Sequence, residues 1–256
     1  MQIDRITAIQ QHLFSKGFSS ISDISNAVGA SEPTVRRDLL ALENRGAIIR
    51  IHGGARIAEG AIAEIAFESR EQVNLPAKRA IGDAAYKLLV PNTAVFLDAG
   101  TTVLQVARQL RMAPLPLRIF TNCLPIAQLL SPLTALTVTL IGGTLRPQNA
   151  SMVGKLAEDA LGHLWFDQVF LGAGAISPTA EIYSADEQEA RLNAQMLMRT
   201  DSPVLLVDAD KFDHYLTHRV AAVQSRIKIV SDIRLDAEWQ NKLHDLNCSF
   251  VLTKPK

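Results

Sequence analysis

The chain has 256 residues, of which 48% are hydrophobic and 20% are charged, so its composition is that of a folded globular protein rather than a disordered one. This length allows one large domain or two modest ones. The formal net charge is zero, so the balance over the whole chain indicates no polyanionic partner. Residues 1–57 nevertheless carry a net charge of +2, and only basic charges follow Glu43 up to Arg56.

Cysteine usage and hydropathy indicate the cellular compartment of the protein. Cys123 and Cys248 are too few for a disulfide framework, and we expect free thiols in a reducing compartment. No apolar run reaches the roughly 18 residues that cross a bilayer, and the N-terminal sequence lacks the continuous apolar core of a signal peptide. We therefore expect a cytoplasmic protein without a membrane partner.

The N-terminal segment has the pattern of short helices followed by a hairpin. Apolar residues at helical spacing predict a helix over residues 2–15. Ser22 is a candidate N-cap for a second short helix, which Gly29 ends in the left-handed conformation. Ser31 is a candidate cap for a third helix that ends near Arg45. The segments AIIRI and ARI, separated by His-Gly-Gly, then predict two antiparallel strands.

The third helix separates an apolar face from a polar one. Three apolar residues, spaced by four and three positions, share the face that packs on the other helices. These residues are Val35, Leu39 and Leu42. Thr34 and Arg37 lie on the opposite face, and Arg36 lies on its flank. A helix-turn-helix needs this arrangement, because the N-terminal half of its exposed face enters the major groove.

The polar residues of this segment match chemical groups of DNA. The hydroxyls of Ser31 and Thr34, at a helix N-terminus, suit phosphate oxygens. Arg37 has the geometry for two hydrogen bonds to a guanine, which are worth about 1–3 kcal/mol of discrimination. The hairpin adds a basic wing near the DNA backbone. Its basic residues are Arg50, His52 and Arg56. The alternative, which these residues alone leave open, is a small helical bundle with a solvated polar face.

The stretch SEPTVRRDLLALENRGAIIRIHGGA, residues 31–55, resembles the signature of the DeoR family of bacterial transcriptional repressors. The match is ungapped and runs from the serine that begins the recognition helix to the His-Gly-Gly-Ala wing. The resemblance implies sequence-specific binding of double-stranded operator DNA by Ser31, Thr34, Arg36 and Arg37. Because one short recognition helix covers too few base pairs for genomic specificity, we expect a homo-oligomer, either a dimer or a tetramer.

The composition changes after a connector. Residues 58–76 form this mixed connector, which closes with Pro76, and residues 77–256 form a second domain. In that domain predicted helices alternate with predicted strands, and several strands are apolar throughout. This alternation is typical of a mostly parallel sheet covered by helices on both faces. We therefore predict an α/β fold class, with an N-terminal winged helix-turn-helix over residues 1–57 and a larger α/β effector domain.

Several strands of the second domain end in polar or glycine-rich segments. One ends at Asp98 and is followed by a turn and by Thr101 and Thr102, which open a helix. Backbone N–H groups and the helix dipole make such a turn an anion site. Similar strand ends occur at Thr121-Asn122, Gly142-Gly143, Gly172 to Gly174, and Asp208 to Lys211. Because ligands of α/β sheets bind beyond the carboxyl ends of the strands, we expect one crevice for a small polar anion, with Lys211 neutralising a phosphate.

This second domain is similar to the effector domain of the DeoR family, which is related in fold to sugar-phosphate isomerases and CoA transferases. Residues that match motif positions of the family are Asp98, Gly100, Thr101, Thr102, Asn122, Gly142, Gly143, Gly154, Gly172 and Lys211. The segment SADEQEA also resembles the family's loop and helix after the glycine-rich strand, with Asp186 and Glu189 in place. The resemblance implies a phosphorylated sugar or a related metabolite as the effector, without a cofactor.

An enzyme is the second hypothesis that the sequence leaves open. A sugar-phosphate isomerase or hydrolase with an accessory DNA domain would use Asp98 as a general base and Lys211 to stabilise an enediolate. In the sensor hypothesis, which we favour, Asp98 binds a sugar hydroxyl and Lys211 binds a phosphate, without turnover. The six histidines show no spacing typical of a metal site, and we expect no metal.

Overall fold

The computed structural model divides the chain into two compact units, Met1–Gln72 and Val73–Lys256. The described residues are 2–16, 18–44, 47–51, 53–57, 67 and 70–255. Each unit has a hydrophobic core of its own. None of the described helices combines the length and the hydropathy that crossing a membrane requires.

The N-terminal unit combines helices with a small antiparallel sheet. In chain order, its elements are α1 (Gln2–Lys16), β1 (Phe18–Ser20), α2 (Ile21–Val28), α3 (Glu32–Asn44), β2 (Ile48–Ile51) and β3 (Gly54–Ile57). The strand order is β1-β3-β2, so the predicted hairpin of β2 and β3 gains a third strand from the chain before α2. The unit is a winged helix-turn-helix, which confirms the predicted fold of this part of the chain.

The core of this unit lies between one face of each helix and the inner side of the sheet. Its buried residues are Ile9, Leu13, Ile21, Ile24, Val35, Leu39, Leu42, Ile48, Ala55 and Ile57. The helical members recur at intervals of three or four residues, so each helix turns an apolar stripe to the same interior. This common interior fixes which side of α3 remains in solvent.

The start of α2 differs from the prediction. Ser20, rather than Ser22, is the N-cap, because the Ser20 hydroxyl accepts a hydrogen bond from the Asp23 N–H at 3.1 Å. The prediction took Gly-Phe-Ser-Ser as a break between helices, whereas Phe18–Ser20 pairs with the wing as β1. Gly29 ends α2 in the left-handed conformation, with a φ of 61° and a ψ of 34°, as predicted.

The C-terminal unit is an α/β domain. Its elements in chain order are α4 (Leu75–Tyr86), β4 (Ala94–Leu97), α5 (Val103–Met112), β5 (Leu117–Thr121), α6 (Leu124–Leu130), β6 (Leu136–Leu140), β7 (Thr144–Arg146), β8 (Ser151–Val153), α7 (Lys155–Gly162), β9 (Gln168–Gly172), β10 (Ala175–Ile176), β11 (Glu181–Ser184), α8 (Glu187–Leu197), β12 (Pro203–Leu206), β13 (His218–Ala222), β14 (Lys228–Asp232), α9 (Ala237–Asp245) and β15 (Phe250–Thr253). Short 3-10 helices lie at Pro147–Asn149 and Ala209–Lys211.

Seven of the described strands form one parallel sheet, in the order β15-β14-β12-β9-β4-β5-β6. The strands β4 and β12 are buried along their whole length, as expected of strands covered on both faces. The chain moves outward from β4 through β5 and β6, and later outward from β9 on the other side. The strand order therefore reverses between β4 and β9, which is where ligands of open α/β sheets bind.

Two smaller antiparallel sheets were not predicted. They are the hairpin of β7 and β8, and a sheet with the order β10-β11-β13. The hairpin packs back toward the end of β5, where the Met152 N–H donates to the Asn122 carbonyl at 2.7 Å. It therefore borders the carboxyl edge of the main sheet.

Candidate functional site

Helix α3 places its two arginines on the solvent side of the N-terminal unit. Val35 and Leu39 are fully buried, whereas Arg36 and Arg37 are exposed, as the helical period requires. The Arg37 guanidinium makes no hydrogen bond or ion pair with the part of the chain that the structure describes. It is therefore available to a partner that presents two acceptors, such as a guanine edge.

The N-terminal end of α3 presents hydroxyls and a weakly held arginine. The hydroxyls of Ser31 and Thr34 are hydrogen-bonded to each other at 2.9 Å. Arg36 NH2 lies 3.4 Å from Glu32 Oε2, and these side chains are 54% and 48% exposed. An exposed pair at this spacing contributes only about 0.3–0.5 kcal/mol, so a DNA phosphate can replace Glu32 at small cost. The DNA contacts of these residues stay a prediction.

Asp38 belongs to the same Arg-Arg-Asp run but is turned inward. Its buried carboxylate accepts hydrogen bonds from Arg5, with 2.6 Å between Nε and Oδ2 and 3.2 Å between NH2 and Oδ1. The pair ties α3 to α1 and fixes the rotation of α3 about its own axis. The sequence analysis missed this role, although Asp38 lies three residues after Val35 and four before Leu42, on the buried stripe.

The wing carries basic residues on β2 and β3. Arg50 is exposed, and its NH1 lies 3.7 Å from Glu43 Oε2. Arg56 is half-buried on the neighbouring strand. His52, also predicted to belong to the basic wing, lies outside the described residues. The contacts of all three residues with a DNA backbone stay predictions.

In the C-terminal unit, Asp98 follows β4 directly, at the point where the strand order reverses. Its Oδ2 accepts a hydrogen bond from the Gly172 N–H, at the end of β9, at 3.2 Å. Asn122 follows β5, and its Oδ1 accepts from the Ala99 N–H at 3.0 Å. Three of the predicted effector residues, from three neighbouring strands, are thus brought together at one edge of the sheet.

The protonation state of Asp98 is set by its surroundings. The residue is only 3% exposed, and burial raises the pKa of its carboxyl group to about 8, although the Gly172 N–H lowers it and the Glu189 charge raises it further. The carboxyl group is therefore mostly protonated at neutral pH. A protonated carboxyl group offers a donor as well as an acceptor, which suits a hydroxyl-bearing ligand.

The turn after Asp98 leads into the N-terminus of α5. Thr102 is the N-cap residue and makes no side-chain cap hydrogen bond, while Gly100 and Thr101 are partly exposed before it. Two of the first N–H groups of the helix are taken up by this turn, because the Leu104 N–H donates to the Gly100 carbonyl at 2.9 Å and the Gln105 N–H donates to the Thr102 carbonyl at 3.1 Å. An anion site at this end of α5 stays a prediction.

Thr121, another predicted effector residue, has a structural role. It is fully buried, and its hydroxyl donates to the Leu97 carbonyl at 2.6 Å and accepts from the Cys123 N–H at 3.0 Å. The hydroxyl thus holds β5 to β4 and fixes the turn that places Asn122. Burial also raises the pKa of the Cys123 thiol to about 12, so this cysteine stays neutral.

The predicted glycines near the hairpin shape the backbone around the crevice. Gly143 lies so close to β8 that an added Cβ would be 2.7 Å from the Val153 carbonyl oxygen. Gly154 has a φ of 86° and joins β8 to α7. Gly142 is exposed, with no atom within 4 Å of an added Cβ. Their part in ligand binding stays a prediction.

A hydrogen-bond network around Glu189, at the start of α8, was not found from the sequence. Glu189 Oε1 accepts from Asn149 Nδ2 at 2.6 Å, from Arg146 NH1 at 3.0 Å and from Ser151 Oγ at 3.4 Å. Asn149 lies between β7 and β8, Arg146 ends β7 and Ser151 begins β8, and these elements are too short to show a periodicity that would mark the donors.

The same network includes the predicted residue Asp186. Asp186 is the N-cap of α8, because its carboxylate accepts from the Glu189 N–H at 3.0 Å, and Arg146 Nε lies 3.2 Å from Asp186 Oδ2. Asn149 Nδ2 also lies 3.4 Å from the carbonyl oxygen of Ala99, the residue after Asp98. The network therefore connects the turn at Asp98 with the start of α8.

Lys211 lies at the end of the 3-10 helix that follows β12. Its ammonium makes no hydrogen bond or ion pair with a described residue. The same turn is fixed by Asn74, whose Nδ2 donates to Asp208 Oδ1 at 3.0 Å and to Asp210 Oδ2 at 2.6 Å. No hydrogen bond between described residues joins Lys211 to Asp98, and its phosphate contact stays a prediction.

Across the described residues, no three or more His, Cys, Asp or Glu side chains form a cluster fit to hold a metal ion.

Known proteins match both units. Residues 5–60 match the family model of the DeoR-like helix-turn-helix domain, and residues 73–233 match that of the DeoR C terminal sensor domain. A putative aga operon transcriptional repressor of Escherichia coli O157:H7 is 31% identical over 251 residues, which cover 97% of this chain and 93% of that protein. The HTH-type transcriptional regulator GlpR of Haloferax volcanii is 33% identical over 239 residues, or 91% and 90% of the two chains.

Two further comparisons concern a named repressor and a solved structure. The lactose phosphotransferase system repressor of Streptococcus mutans is 30% identical over 211 residues, covering 81% of this chain and 83% of that protein. Ribose 5-phosphate isomerase A of Methanocaldococcus jannaschii has a TM-score of 0.38 and 16% identity, over 54% of this chain and 55% of that chain. The three relatives are each named as a transcriptional regulator or a repressor.

Proposed function

This chain belongs to the DeoR family of transcriptional regulators, and on that premise we propose that it represses a carbohydrate operon and leaves its operator when a phosphorylated sugar binds beside Asp98. The repressors named for the aga operon and for the lactose phosphotransferase system support this class of target. The observation that carries the DNA part is the outward orientation of Arg37, which the inward pair of Asp38 and Arg5 maintains.

The DNA part is tested by selecting bound fragments from a genomic library and measuring affinity by fluorescence anisotropy. Arg37→Ala should weaken binding to the selected site by about 1–3 kcal/mol, the worth of a bidentate arginine–guanine contact, and affect random DNA much less. Lys16→Ala, which removes an exposed charge at the end of α1, is the matched control. An equal loss on both DNAs would make Arg37 a phosphate contact only.

The effector part is supported by the grouping of Asp98, Asn122 and the N-terminus of α5. A panel of phosphorylated sugars, their unphosphorylated forms and inorganic phosphate should be screened by thermal shift. A ligand present at a hundred times its Kd should stabilise the protein by about 2.7 kcal/mol. Asp98→Ala should keep operator binding but respond less to the ligand. Loss of operator binding by this folded variant would contradict a separate sensor site.

We further propose that the site binds without turnover. The relatives that support this proposal are named as transcriptional regulators rather than as enzymes. Incubation of the purified protein with each stabilising sugar phosphate, followed by mass spectrometry or NMR, should detect no isomer and no free phosphate. Product that forms at a rate proportional to protein concentration would establish an enzyme instead.

Operator binding by a homo-oligomer completes the proposal. One recognition helix contacts a few base pairs, whereas two helices of a symmetric dimer read half-sites about one helical turn apart. The selected operator should therefore contain an inverted repeat with that spacing. Light scattering of the protein with and without DNA measures the number of chains in the complex.

A further inference from the structure

The two oxygens of Glu189 are used unevenly. Oε1 accepts hydrogen bonds from Asn149, Arg146 and Ser151, whereas Oε2 has one long contact, 3.4 Å from Ser184 Oγ, among the described residues. A carboxylate oxygen has about two lone-pair positions, so Oε2 retains acceptor capacity. The side chain is 16% exposed, which leaves it reachable from one side.

Arg146 holds Glu189 in this orientation. Its NH1 lies 3.0 Å from Glu189 Oε1, its Nε lies 3.2 Å from Asp186 Oδ2, and the arginine side chain is 20% exposed. One guanidinium on β7 is thus shared by the N-cap residue and the first turn of α8. Because both carboxylates are held through the same planar group, Glu189 cannot turn Oε1 away without breaking the pair.

Asn149 links Glu189 to the turn that follows Asp98. Asn149 Nδ2 lies 2.6 Å from Glu189 Oε1 and 3.4 Å from the carbonyl oxygen of Ala99, so one amide group connects the two carboxyl positions. Asp98 lies at the carboxyl end of β4 and Glu189 on the first turn of α8, next to the hairpin that borders the same sheet edge. A ligand that binds beside Asp98, as proposed above, therefore has Glu189 as a neighbouring acceptor.

We propose that Glu189 is a specificity-determining residue, which accepts a hydroxyl group of the effector through Oε2, and that Arg146 is its positioning residue. This inference rests on the proposed function and deepens it: the effector carries a hydroxyl group apart from its phosphate, and that hydroxyl is read by a charged acceptor. Sites that hydrogen-bond a hydroxyl reject the deoxy analogue strongly, because the polar group of the site is left unpaired.

The test measures Kd by isothermal titration calorimetry for the sugar phosphate that stabilises the wild type most and for its set of monodeoxy analogues. Glu189→Gln should weaken the parent ligand about 10–100-fold, the range for losing a hydrogen bond to a charged group, and leave the affinity for one deoxy analogue unchanged. Arg146→Lys should likewise weaken binding of the parent ligand more than binding of that deoxy analogue. Glu187→Gln, an exposed glutamate of the same helix, is the matched control and should bind as the wild type does.

The deoxy analogues distinguish a role of Glu189 in recognising the ligand from a purely structural role. If Glu189→Gln loses affinity for every analogue by the same factor, its role is structural and the inference is wrong. Unchanged affinity for the parent ligand also contradicts it. Should Glu189→Gln fail to fold, Arg146→Lys decides by the same pattern across the analogues. A wild type that binds no phosphorylated sugar would overturn the proposed function, and the inference with it, whereas the other outcomes concern Glu189 alone.

Discussion

Arg37 and Asp38 are neighbours in the chain with opposite surroundings. The arginine is exposed and has no described partner, while the aspartate is buried and paired with Arg5. Removing one partner of a buried ion pair leaves the other uncompensated and destabilises the fold, whereas an exposed substitution has little effect on stability. Under the proposed function, two adjacent residues of one helix thus have different roles, with Arg37 recognising DNA and Asp38 holding the fold.

We predict that Asp38→Asn lowers the free energy of unfolding of the N-terminal unit, because the buried charge opposite Arg5 is lost. Hydrogen–deuterium exchange of the full chain measures this locally, as faster exchange of the amides of α1 and α3. Arg37→Ala is the matched control and should leave these exchange rates unchanged. Wild-type exchange in Asp38→Asn would show that the pair does not hold α3.

Asp98 predicts a pH dependence of stability. Its pKa is about 8 in the folded chain and near 3.8 in the unfolded chain, so the folded state binds its proton more tightly. Its contribution to stability is therefore fully present below about pH 4 and is lost as the pH rises toward 8. Between pH 5 and pH 9, the melting temperature measured by thermal unfolding should fall more steeply with rising pH for the wild type than for Asp98→Asn. An equal dependence of the melting temperature on pH in the wild type and in Asp98→Asn would contradict a protonated Asp98.

At the scale of elements, the crossing of α4 and α5 positions the turn after Asp98. Gly82 on α4 lies so close to α5 that an added Cβ would be 2.5 Å from the Gln105 Cβ. The missing side chain lets the two helices approach, and α5 carries the turn after Asp98 at its N-terminus. The position of that turn therefore depends on a close helix contact.

We predict that Gly82→Ala destabilises the C-terminal unit by about 1–3 kcal/mol, the usual cost of overpacking a tight interior. Chemical denaturation of the full chain, followed by circular dichroism, measures the loss. Gly162→Ala is the matched control, because an added Cβ there is 3.4 Å from the flexible end of Gln195 and should be tolerated. Equal stability of the two variants would contradict a tight crossing.

The elements differ in how far the sequence predicts them. The apolar strands of the parallel sheet and the helices between them have lengths and periods that mark them clearly, and the end of α2 is marked by Gly29. The short antiparallel strands are not predictable in this way, because strands such as β10, with two residues, are too short to show a period. Their pairing is decided by tertiary contacts.

The residues of the candidate site also differ in how far the sequence predicts them. Residues at the ends of strong strands, such as Asp98, Asn122 and Gly172, were expected to meet because the carboxyl ends of parallel strands share an edge. Arg146, at the end of β7, and Asn149, in the short 3-10 helix after it, were missed, since their position depends on a hairpin folding back over that edge. Thr121 was expected to face a ligand but turns its hydroxyl to the backbone of β4.

For the whole molecule, the distribution of charge determines how DNA is attracted. The formal net charge of the chain is zero, so attraction must come from the local basic surface of α3 and the wing. We predict that affinity for the operator falls linearly in log–log form between 50 and 200 mM salt, with a slope of about −0.9 per neutralised phosphate. Arg50→Ala should make the slope shallower by about one phosphate. An affinity that does not change with salt concentration would rule out the basic wing.

Release of DNA by the effector is a shift between two populations of the whole molecule. A ligand lowers operator occupancy only by its preference for the arrangement that does not bind DNA. A hundredfold reduction in affinity requires a preference of about 2.7 kcal/mol. By linkage, saturating operator DNA must weaken binding of the effector by the same factor.

The most direct measurement is therefore a titration of the purified full chain against its selected operator, followed by anisotropy, with and without the stabilising sugar phosphate. The account predicts tight binding to the operator over a scrambled duplex, and at least a tenfold loss of that affinity when the sugar phosphate is present. Equal affinity for the two duplexes, or an operator affinity that no phosphorylated sugar changes, would contradict a DNA-binding regulator controlled through the crevice at Asp98.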